Sequence, residues 1–206
     1  MSANSDSVHI SLLTTLPELG GWLCEDLGCD AEEYLQVVTF SERKLAFSIA
    51  GTPDQVRQAP ATSIPVVILR FVDVLSLQDT LELLESRSGL TPAVVLIYRN
   101  ENESDFKMSC PYCGQKLWVR DADQDKRGRC PHCHKGFTLP AQEEHVASAL
   151  SLSSTTPVRR IVRGDPGSLA SPLRLILEAE STADTLKQLD ADRLNKNETM
   201  KVDVEG

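Results

Sequence analysis

Residues 64–98 read IPVVILRFVDVLSLQDTLELLESRSGLTPAVVLIY, and their pattern decides the fold. Two wholly apolar runs, Ile64–Leu69 and Ala93–Tyr98, flank an amphipathic stretch. A strand buried on both faces of a parallel sheet reads as such a continuous run. Between them Ser76 and Asp79 form a capping pattern, Leu77, Leu81 and Leu84 follow at helical spacing, and Gly89 is the stop. The unit is β-α-β, which predicts a parallel sheet covered by helices.

The pattern extends towards the N-terminus. Val8–Leu13 is a short apolar strand. Thr15 and Glu18 make a capping-box pattern with Pro17 in the first turn. Leu16, Leu19, Leu23 and Leu27 then recur at helical spacing before Gly28. Tyr34–Phe40 reads as a second strand. Ser41–Ala50 fits two readings. Leu45 and Ile49 lie i,i+4 on a helix face that Gly51 would end, yet Leu45, Phe47 and Ile49 also alternate like a strand. The helix is preferred, and the order becomes β-α-β-α-β-α-β.

Beyond the polar stretch Asn100–Asp105 the character changes. Residues 110–137 read CPYCGQKLWVRDADQDKRGRCPHCHKGF. Two Cys-x-x-Cys pairs, Cys110/Cys113 and Cys130/Cys133, have the spacing of a zinc ribbon. Pro111 and Pro131 suit the tight turns, and Gly114 and Gly136 supply permissive backbone after them. Lys116–Arg120 and Gly136–Leu139 are the expected short strands, and Asp121–Gly128 the loop between them. A segment this small has little core, and zinc would supply its stability, on the order of 10–16 kcal/mol in small zinc peptides. Four thiolates leave no open position for a catalytic water, so one structural zinc is expected. A pair of redox dithiols is the rival reading. His132 and His134 beside the ligands are expected to be exposed or to lie just outside the coordination sphere. Cys24 and Cys29 are expected to be buried thiols.

Gln142–Thr156 is linker-like, and its Glu143–Leu152 part could form a short helix. Val158–Val162 and Leu169–Ala179 restore the strand–helix pattern. Ser181–Gly206, highly charged and weakly apolar, reads as a solvated helix fraying into a disordered tail. Three parts follow: an α/β domain from 6–100 plus 157–180, a ribbon at 106–140, and the tail at 181–206.

The chain has 206 residues, 41% of them hydrophobic and 5% aromatic, so the core should be aliphatic. The formal charge of -9 argues against a general nucleic-acid binder, since phosphate contact needs a basic face. The ribbon is locally basic, through Lys116, Arg120, Lys126, Arg127, Arg129 and Lys135. Its candidate contact surface is Trp118, Arg127, Arg129 and Lys135. The plainer expectation is a solvated surface with Trp118 packed over the zinc turns. No apolar span is long enough for a membrane helix and no signal peptide is read, so a cytoplasmic protein with reduced thiols is expected.

The α/β segments resemble the receiver domain of response regulators. VHISLLTTLPEL is similar to that family's first strand and helix, IPVVIL to its third strand, and TPAVVLIY to its fourth. VRRIVRGDPGSLASPLRLIL looks like its fifth strand and last helix. The resemblance implies a doubly wound, flavodoxin-like sheet of five parallel strands in the order 2-1-3-4-5. The zinc ribbon would then be a small β insertion where the fourth helix belongs. It also implies a phosphorylation site, from which this sequence departs. Thr14 and Thr15 stand where the family has the acidic pair that holds Mg²⁺. Arg70 stands at the phosphoryl acceptor, Tyr98 near the switch Thr or Ser, and Arg163 near the Lys. Asp73 as acceptor would extend the third strand through Arg70 and place a charge inside it. Hydroxyls without carboxylates bind Mg²⁺ poorly, and a guanidinium accepts no phosphoryl group.

Arg70 and Arg163 could instead form an anion or partner site at the sheet edge, or each could reach solvent or pair with a nearby carboxylate. The expected function is a non-catalytic regulatory or scaffold protein that uses the ribbon to dock an unidentified protein partner. A nucleic-acid or transcription-associated adaptor and a thiol redox enzyme are the alternatives. No phosphate-binding loop or nucleophile-elbow motif is present.

Overall fold

The computed structural model describes residues 7–28, 36–40, 43–70 and 74–179. In chain order the elements are β1 (Ser7–Leu13), α1 (Pro17–Asp26), β2 (Gln36–Phe40), β3 (Arg43–Ala50), α2 (Pro53–Gln58), β4 (Ile64–Arg70) and α3 (Val74–Glu85). There follow β5 (Val94–Arg99), β6 (Asp105–Ser109), β7 (Lys116–Arg120), β8 (Arg127–Arg129), β9 (Gly136–Thr138), α4 (Gln142–Ala149) and β10 (Val158–Val162). A last helix, α5, spans 167–179.

The two apolar runs behave as their composition dictates. β4 and β5 lie side by side in the centre of a sheet ordered β10-β5-β4-β1-β3-β2. The strands from β10 to β3 are parallel, and numbered among themselves they give the order 2-1-3-4-5 of a flavodoxin-like fold. Because neighbouring residues point to opposite faces, each strand feeds two cores. Val66 and Ile68 pack with Leu19 and Leu23 of α1 and Leu169, Leu173 and Ile176 of α5. Val67 and Leu69 pack on the other face with Val56 of α2, Leu77 and Leu84 of α3, and Val146 of α4. No helix among the described residues is long and apolar enough to cross a membrane.

The preferred helix at Ser41–Ala50 is wrong. Residues 43–50 form β3, paired with β1 from Ser7↔Lys44 to Leu13↔Ala50. Leu45 and Phe47 face the α1–α5 core, and Ala50 faces the other. Alternation won because the segment has a full-length parallel partner, and Phe47 and Ile49 suit a strand. Gln36–Phe40, from the expected second strand, adds an antiparallel edge through Gln36↔Phe47 to Phe40↔Arg43. The crossover to β4 is α2 instead. Thr52 accepts from the Gln55 N–H at 3.3 Å, and the Gln55 Oε1 accepts from the Thr52 N–H at 3.1 Å. That is a complete capping box, spelled in sequence by Thr52-Pro53-Asp54-Gln55.

Other expected helix starts shift. At α1 the N-cap is Leu16 without a side-chain cap, so Thr15 and Glu18 form no box. Thr14 takes part instead, its hydroxyl oxygen 3.2 Å from the Leu16 N–H. α3 begins at Val74, two residues before the expected Ser76 cap. α4 occupies the fourth helix position after the ribbon, so the insertion precedes that helix and does not replace it. Asp73, Cys29 and Ser181–Gly206 lie outside the described residues.

α4 also carries a buried base. The His145 ring lies 6.4 Å from Phe106 of β6, and its Nε2 is buried without a hydrogen-bond partner. Burial therefore pushes the imidazole below its ordinary range. Since the folded value is depressed, the unfolded chain takes the proton first. The stabilisation is present above about pH 6.5 and is lost as pH falls towards the folded value. Urea unfolding of the wild type and His145→Gln between pH 7.5 and 5 should show the shallower pH dependence in the variant. Equal slopes would contradict the assignment.

Candidate metal centre and sheet edge

The ribbon is built from two hairpins, β6–β7 and β8–β9. Each ends in a knuckle with the same backbone pattern. The Cys110 N–H donates to the Gln115 carbonyl at 2.8 Å, and the Gly114 N–H to the Cys110 carbonyl at 2.9 Å. In the second knuckle the Cys130 N–H donates to the Lys135 carbonyl at 3.0 Å, and the His134 N–H to the Cys130 carbonyl at 2.9 Å. His134 thus takes the place of Gly114. Their φ angles, 60° and 70°, are both left-handed. The expectation that Gly136 supplies this freedom is corrected: Gly136 lies in β9 and the strained position is His134.

The knuckles bring four sulfurs together. Cys110 Sγ lies 3.8 Å from Cys133 Sγ, and Cys113 Sγ 3.7 Å from Cys130 Sγ. All four lie within 4.8 Å of one another. A tetrahedral thiolate site with metal–sulfur bonds of about 2.3 Å spaces its sulfurs about 3.8 Å apart. The cysteines can hold one metal ion. His132 and His134 are exposed and outside the cluster. The electrostatics point the same way. The Cys133 N–H, then that of His132, favours the Cys130 thiolate and brings its pKa down to about 6. The Gln115 N–H pulls the Cys113 thiol down, but burial and the three neighbouring sulfurs outweigh it and push it up to about 12. Four thiols in one space cannot all ionise without a cation among them.

The ribbon is fixed to the sheet. Phe106 and Met108 of β6 and Val119 of β7 are buried in the core on the α3–α4 face. Arg160 of β10 reaches the connecting loop at Asp121 Oδ1 (2.5 Å) and Gln124 Oε1 (2.8 Å), and α4 at Glu143 Oε2 (2.7 Å). Burial works against the guanidinium charge, but Glu143 and Asp121 outweigh it. Arg99 of β5 also approaches Asp121, at 3.5 Å. The signal for this join was a charged pair, Arg159-Arg160, inside the expected strand Val158–Val162.

On the ribbon's surface Trp118 is 62% exposed, with Lys107 Nζ 4.6 Å from its ring centre. It does not pack over the knuckles, because Val119 takes the inward position beside it. Tyr112 is 54% exposed, with Lys135 Nζ at 4.9 Å. Arg127 and Arg129 are exposed on β8.

The sheet edge is occupied by protein. Trp22 of α1 has the Arg163 guanidinium 4.3 Å from its ring centre and that of Arg70 at 5.9 Å. Arg163 pairs with Glu25 at 3.1 Å and Arg70 with Glu103 at 3.4 Å. Arg70 ends β4. Tyr98, fully buried, donates to Asp26 Oδ2 at 2.7 Å, and the Gly164 N–H donates to Asp26 Oδ1 at 2.9 Å. Burial first, then the Asp26 carboxylate, raises the phenol so that it stays a donor. Thr14 is buried and Thr15 half-buried. Cys24 is buried in α1. Among the described residues only the four cysteines bring three or more ligating groups within reach of one metal.

A side chain with a Cβ costs about 1–2 kcal/mol in the left-handed region. Gly114→Ala should therefore destabilise the metal-loaded protein by about 1 kcal/mol, and His134→Gly should be neutral or stabilising. Urea titration with metal analysis checks both. Loss of metal in His134→Gly would make the imidazole a ligand.

No protein-family model matches the chain, and no curated protein matches it. Solved structures share its fold. The crystal structure of an SsGBP mutation variant, glycine to proline, has a TM-score of 0.50 at 13% identity and covers 85% of this chain and 56% of its own. The glycine-to-serine variant gives 0.49 at 15% identity, covering 85% and 57%. The chain spans a little over half the length of these proteins, and the likeness concerns the fold alone.

Proposed function

We propose that this is a non-catalytic regulatory or scaffold protein of the cytoplasm. In this reading a receiver-like frame, incompetent for phosphorylation, holds a zinc ribbon as an interaction surface. The sulfur-only donor set, four sulfurs within 4.8 Å of one another, carries the reading. Such a set favours zinc over harder ions, and four thiolates close the sphere so that the ion is structural. The sheet edge supports the other half. Where a receiver would hold Mg²⁺ and an acceptor, this chain has Thr14, Thr15 and a guanidinium, with Trp22 beside it. Zinc would hold the two knuckles in register and so fix the outward residues of the ribbon.

Metal analysis of protein purified under reducing conditions should find one zinc per chain, lost on Cys130→Ser. Incubation with acetyl phosphate and Mg²⁺ should add no phosphoryl group by mass spectrometry. Folded, metal-free protein would sink the ribbon half, and a phosphorylated Asp the other.

A further inference from the structure

The charge on this chain is segregated. Residues 105–140 hold seven Lys and Arg against four Asp, while the other 170 residues hold fourteen against twenty-six Asp and Glu. A polyanion is therefore attracted to the ribbon and repelled elsewhere. Two of the seven cations, Arg120 and Lys126, are engaged by Asp123. Among the described residues, Lys107, Lys116, Arg127, Arg129 and Lys135 have no carboxylate partner.

The aromatic residues narrow the class of polyanion. Lys107 faces Trp118 across the β6–β7 ladder, and Ser109 faces Lys116 one step along. Strand alternation puts Lys107, Lys116 and Trp118 on the outward face, opposite the buried Phe106, Met108 and Val119. Trp118 keeps 62% of its surface exposed with an ammonium beside it, and Tyr112 with Lys135 repeats the arrangement on the first knuckle. A flat ring beside a free cation suits an unpaired base next to its phosphate. An acidic peptide would use the cations and leave both rings without a role.

We propose that this ribbon surface binds single-stranded nucleic acid, by stacking bases on Trp118 and Tyr112 and meeting phosphates with Lys107, Lys116 and Lys135. The proposal rests on the ribbon being the interaction surface and names its partner class.

The test is fluorescence anisotropy of a labelled oligothymidylate with the full, zinc-loaded chain at about 20 mM salt, where phosphate contacts are strongest. Binding is expected. Trp118→Ala should weaken it at least about fivefold and Trp118→Phe should restore most of it, since stacking is worth about 1–3 kcal/mol per base. Lys107→Ala should lower the slope of log affinity against log salt by about 0.7, one phosphate on a single strand. Both residues are on the exposed face, and zinc content and melting temperature report that each variant is intact. No binding at low salt would overturn the proposal. So would binding that polyglutamate competes away equally and that Trp118→Ala leaves unchanged. Either result with zinc still bound would reject the nucleic-acid partner while leaving the ribbon as a surface. Zinc-free folded protein would reject the underlying reading itself.

Discussion

Everything distinctive here depends on four sulfurs sharing one small volume. The segment from 105 to 140 buries only Phe106, Met108, Cys110, Val119 and Cys130. That is too little apolar area to order its chain, given a cost of about 1–2 kcal/mol per residue for fixing the backbone. Four thiolates in one space would repel one another without a cation among them. A bound metal turns that repulsion into cohesion.

The core strands were legible because burial on both faces leaves a continuous apolar run, as in Ile64–Leu69 and Ala93–Tyr98. The cysteines were legible because metal geometry dictates spacing. Ser41–Ala50 was misread because Leu45 and Ile49 satisfy both a 3.6 and a 2.0 period in so short a window. What separated the readings was Thr52-Pro53-Asp54-Gln55, a capping signal that places the helix one segment later. His134 hid its role because a left-handed residue without glycine leaves no compositional mark. The join at Arg160 hid because its partners, Asp121 and Glu143, come together only through the fold.

The sheet edge shows a related difficulty. Sequence placed Arg70, Tyr98 and Arg163 near it, but not what they do. Their partners, Trp22, Glu25 and Asp26, lie on one turn of α1, while Glu103 follows β5. An arginine without a visible partner in sequence reads as an anion site. Each of these two is paired with a carboxylate, and each has its guanidinium near Trp22. The edge therefore holds α1 to the sheet through Tyr98–Asp26–Gly164.

These observations explain where the insertion sits. In open parallel sheets, ligands bind beyond the C-terminal ends of the strands, where the loops are free to vary. The ribbon leaves the sheet there, after β5, and its mounts use the same loops. Glu103 holds Arg70, Asp121 approaches Arg99, and Arg160 clasps Asp121 and Glu143. Loops that would otherwise cradle a ligand are committed to carrying a second structure. A fold's function lives in the site built on it. In this chain ion pairs fill the sheet edge, while cations without a carboxylate partner and exposed rings coincide on the ribbon.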